Sequence, residues 1–193
     1  MKYILMSIVA GVFLVFSCSS TNNIVTEETS SSTVNTEVKS EQGPTVGLQI
    51  GNMAPDITMN GVDGKPIKLS SLRGKVVLID FWASWCGPCR RENPNVVANY
   101  KKYKDTKFKN GKGFTVYGVS LDNNKDRWQG AIKKDGLTWP YHVSDLKGWS
   151  NAAAAQYNVH SIPASYLIDG NGIIIARSPR GNALGSALAK MVK

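Results

Sequence analysis

The chain has 193 residues, 42% hydrophobic, 9% aromatic and 19% charged, which suits one globular domain with additional segments. Its formal charge of +9 would fit nucleic acid, but no nucleic-acid motif accompanies the charge, and the start of the chain argues for a secreted address. Three cysteines and two histidines offer only one paired spacing, where a four-ligand zinc site usually has a second.

Lys2 precedes a nearly unbroken apolar run, Ile4 to Phe16. The run is too short to span a bilayer comfortably, so residues 1–17 read as a signal peptide. The run closes on Val15-Phe16-Ser17-Cys18, which resembles a bacterial lipobox. That resemblance implies a lipid thioether on Cys18, which would also dispose of a reactive unpaired thiol. Residues 18–46 then form a stretch rich in Ser, Thr, Asn and Glu, with no aromatic residue. Such a stretch buries too little apolar surface to offset chain entropy and reads as a disordered tether. Lys2 and the tether's net −3 aside, residues 47–193 carry +11. A charge of that size describes a lysine-rich solvated surface, and also suits anionic lipid or acidic partners.

The folded domain is expected over residues 47–193. Strands at Ile57 to Met59 and Ile67 to Leu69 flank the turn signal Gly61-Val62-Asp63-Gly64-Lys65, giving a β-hairpin. Ser70 to Gly74 reads as one capped turn ended by glycine. Val76 to Phe81 is an apolar run, the mark of a strand buried on both faces. A helix bent at Pro94 should reach about Tyr103, and a basic loop should run from Lys101 to Lys112. Phe114 to Leu121 is the next strand, which completes a parallel βαβ unit. A helix over Asp126 to Lys134, an extended piece to Val143 and a helix over Trp149 to Tyr157 follow. A proline turn at Ser161 to Ala164 leads into strands at Ser165 to Ile168 and Ile173 to Ala176. Leu184 to Val192 is the closing helix.

The chemistry gathers in Asp80 to Pro94, DFWASWCGPCRRENP. Cys86 and Cys89 sit at the start of the expected helix, where unpaired backbone N–H groups and the macrodipole favour negative charge. A thiol there loses its proton more readily, and the thiolate is the reactive form. Pro88 suits the first turn, where its missing N–H goes unneeded. Cys86 is therefore the candidate nucleophile and Cys89 the candidate resolving thiol. A static disulfide across so short a loop would constrain the unfolded chain little. Asp80, on a buried strand, would have its pKa raised by desolvation and could serve Cys89 as a general base. Arg90 and Arg91 either support a Cys86 thiolate or are simply solvated. Trp85 offers a flat apolar surface to a partner, and Trp82 is the better candidate for the core.

These residues resemble the thioredoxin superfamily. Trp82, Ala83, Trp85, Cys86, Gly87, Pro88 and Cys89 match its active-site string, Asp80 its buried proton-relaying aspartate and Pro94 its helix-kinking proline. Ile162-Pro163 matches the Ile-cis-Pro turn that faces the cysteines. The hairpin and the Trp-Cys-Gly-Pro-Cys string resemble the extracytoplasmic TlpA/ResA-like branch and the related AhpC/TSA group. The resemblance implies an α/β thioredoxin-like fold, with a central mixed β-sheet, flanking helices and an N-terminal β-hairpin extension. It implies a thiol-disulfide oxidoreductase with Cys86, Cys89, Asp80 and Pro163 as catalytic residues and Trp85, Gly87, Pro88 and Ile162 facing the substrate. It implies no metal and no cofactor beyond the sulfurs. The partners would be disulfide-containing extracytoplasmic proteins and a transmembrane thiol electron donor. The protein would be held by the lipid on Cys18 in the bacterial envelope, facing the periplasm from the inner or outer membrane. Gly-Pro between the cysteines matches the reducing members of the superfamily.

Some cytochrome-maturation members carry a glutamate shortly after the third strand. Here Asp122 stands in that region, either as a substitute or as a cap for the next helix. Two other readings compete. A peroxiredoxin-like thiol peroxidase would want a threonine shortly before a lone cysteine, where this chain has Trp82, Ala83 and Ser84. A non-enzymatic metal-binding or adhesion protein on the same fold is the other.

Overall fold

The computed structural model describes residues 43–193; the expected signal peptide, Cys18 and nearly all of the tether lie outside them. Thr58–Asn60 (β1) and Pro66–Lys68 (β2) form the expected antiparallel hairpin, with Met59 opposite Ile67. Leu69–Leu72 is a 3-10 turn, and the chain leaves it through Gly74 at φ 87°, a conformation glycine adopts without steric cost. Its cap comes from farther away than the local sequence suggests. The Asp56 carboxylate accepts from both the Ser70 N–H (2.8 Å) and the Ser70 hydroxyl (2.7 Å).

Val76–Trp82 (β3) is buried along its whole length, which is why it is apolar on both faces rather than alternating. Gly87–Tyr103 (α1) follows, with Pro94 inside it. Phe114–Ser120 (below, β6) is buried along its whole length as well. Between them, Lys107–Phe108 (β4) and Gly111–Lys112 (β5) make a small antiparallel pair. Lys125–Lys134 (α2) leads to Tyr141–Val143 (β7). A 3-10 turn, Gly148–Ser150, precedes Ala152–Gln156 (α3). Ala164–Ile168 (β8), Ile174–Arg177 (β9) and Asn182–Met191 (α4) close the chain.

The five-stranded sheet runs in the order β7-β6-β3-β8-β9. β3 pairs parallel with β6 and antiparallel with β8; β6 pairs parallel with β7, and β9 antiparallel with β8. The sheet is thus mixed, with β3 at its centre and the expected βαβ unit on one side. Because β3 is central, the segment that follows it is held from several directions. Trp82, Phe81, Tyr157 and Leu167 lie in one buried core with both cysteines.

Two segments differ from the sequence reading. The basic loop expected over Lys101 to Lys112 holds the last turn of α1 and the β4-β5 pair. Phe108 is the reason: it is buried, and its ring packs 6.2 Å from that of Tyr103, which pins the segment against α1. The single helix expected from Trp149 to Tyr157 is split at Asn151. That residue is extended (φ −60°, ψ 126°), and its side chain accepts the Ala154 N–H at 2.9 Å, so α3 starts afresh with its own cap.

The β4-β5 turn docks on the β8-β9 turn through backbone hydrogen bonds and one side-chain pair, the Asn110 amide donating to the Asp169 carboxylate at 3.1 Å. Gly170 N–H donates to the Asn110 carbonyl (2.6 Å), and Gly74 N–H donates to the Gly170 carbonyl (2.8 Å). A side chain at Gly170 would run into the Asn110 carbonyl, a backbone atom that has no rotamer to change. Gly170→Ala is therefore expected to lower stability by about 1–3 kcal/mol. Urea unfolding would show this as a lower midpoint with an unchanged slope.

Candidate active site

Cys86 and Cys89 form a disulfide whose Cα atoms lie 5.3 Å apart. Cys86 is the N-cap of α1, and its sulfur accepts the Cys89 N–H at 3.1 Å. When the disulfide is reduced, this geometry points a backbone donor and the positive helix end at the Cys86 sulfur, which favours its thiolate. Both cysteines are nearly closed to solvent, at 4% and 2% exposure, whereas Gly87 and Pro88 are exposed and Trp85 is half open at 52%. Trp82 is fully buried in the core. Cys86 Sγ lies 3.8 Å from the Ile162 carbonyl oxygen, and the Ile162–Pro163 peptide is cis.

Asp80 lies inside β3, opposite Gly118 on one neighbouring strand and Ser165 on the other. Burial raises its pKa from 3.8 to about 7; the Glu92 carboxylate adds to the rise, and the Arg180 guanidinium works against it. Glu92 is tied down by the Gly181 N–H (2.8 Å) and the Asn95 amide (2.7 Å). Arg180 donates to the carbonyl of Pro163. One short loop before α4 thus contacts both the proline turn and the helix that carries Cys89.

The loop between β3 and Cys86 is clamped from beneath. The buried Asp122 carboxylate accepts from the Ser84 N–H (2.9 Å), the Ser84 hydroxyl (2.5 Å) and the Ser120 hydroxyl (2.7 Å). Arg90 donates to the Ser84 carbonyl at 3.0 Å and pairs with Asp135 at the C-terminal end of α2. Burial alone would raise the pKa of Asp135, but hydrogen bonds from Arg90 and Asn93 and the guanidinium charge outweigh it and hold the carboxyl below its usual range. Arg90 is consequently a neutralised structural cation, while Arg91 is exposed.

Residues 50–177 match the model of the AhpC/TSA family. The chain belongs to that family. It is similar to a thiol-disulfide oxidoreductase ResA of Bacillus cereus, with 32% identity over 130 residues, 67% of this chain and 69% of that one. It is also similar to the thioredoxin-like protein YneN of Bacillus subtilis, with 35% identity over 129 residues, 67% of this chain and 71% of the relative. Among solved structures, the thioredoxin domain of a thiol-disulfide oxidoreductase from Bacteroides vulgatus superposes with a TM-score of 0.67 at 34% identity, covering 76% of this chain and 100% of that one. A thiol-disulfide oxidoreductase from Bacteroides fragilis gives 0.64 at 35% identity, covering 72% and 98%. This AhpC/TSA member is a TlpA/ResA-like thiol-disulfide oxidoreductase with a thioredoxin-like fold.

The residues singled out from the family string assemble at one place. Cys86, Cys89, Trp85, Gly87 and Pro88 stand at the N-terminus of α1, with Ile162 against the Cys86 sulfur. Asp122 does not cap α2; Asn124 does, accepting the Arg127 N–H at 2.9 Å. The clamp role of Asp122, the pairing of Asp135 with Arg90, and the contacts of Glu92 and Arg180 were not legible locally. Glu92 carried one usable signal, its position three residues after Cys89 on the same helix face. Asp122 carried another, its place just past the carboxyl end of a parallel strand. The histidines stand apart. His142 is buried in β7 and pushed down to about 4 by burial, and His160 is exposed. Among the described residues, no group of three or more His, Cys, Asp or Glu side chains is placed to hold a metal ion.

Because the folded-state pKa of Asp80 lies above the unfolded value, the folded state holds the extra proton between about pH 4 and 7. Stability is highest with Asp80 protonated in both states, falls as pH rises from about 4 to 7, and levels off above 7. Asp80→Asn mimics the protonated form and lacks that loss. The variant should match the parent near pH 4 and exceed it at pH 8 by up to about 4 kcal/mol, read from urea unfolding of the oxidised proteins at both pH values.

Proposed function

We propose that this protein is a membrane-tethered reductant of disulfides in extracytoplasmic proteins. The observation that carries the reading is the dithiol pair at a helix N-terminus, fed by a strand whose buried Asp80 titrates near neutral pH. Cys86 as thiolate attacks one sulfur of a partner disulfide. That bond breaks, a mixed disulfide forms, and the first partner thiolate leaves. Asp80 takes the proton from Cys89, whose thiolate attacks the Cys86 sulfur. The second partner thiolate leaves, and the Cys86–Cys89 disulfide closes. Two electrons pass to the partner, and its two thiolates take up two protons.

Gly87-Pro88 between the cysteines supports the reducing direction, by likeness to reducing thioredoxins. Trp85, Gly87, Pro88 and Ile162 border the sulfurs and form the substrate-facing rim. Pro163 has no N–H to compete for the sulfurs or for a partner backbone at that rim. A transmembrane dithiol donor restores the reduced state, because the outside compartment has no glutathione pool of cytosolic strength. The signal peptide over residues 1–17 would direct export and be removed, and a lipid on Cys18 and the tether over residues 18–46 would hold the domain of residues 47–193 at the periplasmic face. Among the described residues, no helix is long and apolar enough to cross a membrane.

Equilibration of the Cys86–Cys89 pair with defined thiol buffers tests the direction. A reductant is expected at about −250 mV or below, and a value of about −120 mV would reverse the assignment to an oxidant. The order of attack has its own test. Cys89→Ala should accumulate a mixed disulfide through Cys86 with a disulfide substrate such as insulin, visible on non-reducing gels. Cys86→Ala should accumulate none; the opposite pattern would exchange the two roles.

A further inference from the structure

Beside the disulfide, α2 carries Arg127, Gly130, Ala131 and Lys134 at spacings i, i+3, i+4 and i+7, so all four lie along one face. Ser84, Trp85 and Arg90 form the opposite wall of a groove of about 320 Å³. The charge in this groove is one-sided. Asp135 neutralises Arg90, and the Asp122 carboxylate is buried behind Ser84 on its hydroxyl and amide donors. Asp126 belongs to the first turn of α2 and does not line the groove. Arg127 and Lys134 are exposed and, among the described residues, enter no ion pair.

Gly130 is the unexpected member. A glycine inside a helix costs about 1 kcal/mol relative to alanine. Its φ is not left-handed, and a Cβ there would meet nothing within 4 Å. Neither backbone nor packing asks for glycine at this position, yet any side chain would stand in the groove. On the disulfide side, Trp85 and Trp149 are each 52% exposed, with ring centroids 6.0 Å apart. They make an open aromatic platform directly before Cys86.

We propose that this groove docks the stretch of partner polypeptide next to the disulfide being reduced, and that the stretch carries acidic side chains. Charge complementarity selects this occupant: two free cations flank an uncharged floor, and the aromatic platform receives the apolar residues nearest the partner's cysteine. Arg127 and Lys134 are separated by seven helical rises, about 10 Å, which an extended chain covers in about three residues. The acidic positions therefore lie within a few residues of the sulfur that Cys86 attacks. This inference rests on the assignment of Cys86 as the attacking sulfur.

The test uses the full chain, pre-reduced, and two fluorogenic peptides with an internal disulfide. The peptides are identical except for two glutamates or two lysines after the first cysteine. At low salt the glutamate peptide should be reduced about tenfold faster, and the advantage should shrink as salt approaches molar. The double substitution Arg127→Glu and Lys134→Glu should invert the rate ratio. Gly130→Leu should lower the rate for the glutamate peptide about tenfold relative to bis(2-hydroxyethyl) disulfide, a neutral substrate too small to need the groove. Equal rates for the two peptides in the parent protein would overturn the proposal, as would a preference that survives the double substitution. Inability of the parent protein to reduce bis(2-hydroxyethyl) disulfide and insulin would instead remove the underlying reading of the dithiol.

Discussion

Burying a carboxyl group in the centre of a hydrophobic sheet is unfavourable unless the group can hold its proton or find a partner. Asp80 sits inside β3, the strand on which the sheet is built, and burial brings its pKa to about 7. The position is set by topology. β3 has β6 on one side and β8 on the other, so the strand cannot shift to expose its acid without breaking two ladders. Glu92 deepens the perturbation from α1 and Arg180 relieves part of it, so the proton affinity of Asp80 depends on elements distant in the chain. A group that titrates near neutral pH inside the fold is costly for stability and useful for proton transfer, and both properties have the same origin.

The segment from Ala83 to Trp85 has no regular structure of its own, yet it delivers Cys86 to the helix start. It is held by a polar chain that runs from the carboxyl end of β6 to the end of α2: Asp122 to Ser84, Ser84 to Arg90, Arg90 to Asp135, with Asn93 bonding Asp135 as well. Most of these groups are shielded from water, where an unmet donor or acceptor is expensive and a met one is rigidifying. Neutralising Arg90 also has an electrostatic consequence. The charge that sequence proximity offers to the Cys86 thiolate is committed to Asp135, so the helix N-terminus and the Cys89 N–H are what act on that sulfur. The free cations of the neighbourhood, Arg127 and Lys134, instead face the groove beside Trp85.

Much of this was legible from residues alone. The run Val76 to Phe81, apolar but for Asp80, carried the mark of a strand covered on both faces, and the Cys-Gly-Pro-Cys string after it suited the start of a helix. The family string and the distant Ile162-Pro163 pair then pointed to one fold. The split at Asn151 escaped because the alanines around it favour helix, while the capping side chain wins locally. The β4-β5 pair escaped because Phe108 is one apolar residue among lysines, and its burial depends on where Tyr103 happens to face.

By itself the sequence determined the reactive pair, the strand that leads to it, the buried acid and the order of the elements. Those features are written in contiguous strings, where periodicity and helix-end chemistry act over a few residues. Only the tertiary structure decided which charges are spent and which are free. Arg90 and Arg127 look alike in the sequence, as exposed-type cations near a redox motif. One meets Asp135 across 45 positions and the other meets solvent, because pairing depends on distances that folding creates between remote segments. The same holds for Trp149, which becomes the neighbour of Trp85 only when the turn after β7 packs beside the loop before Cys86.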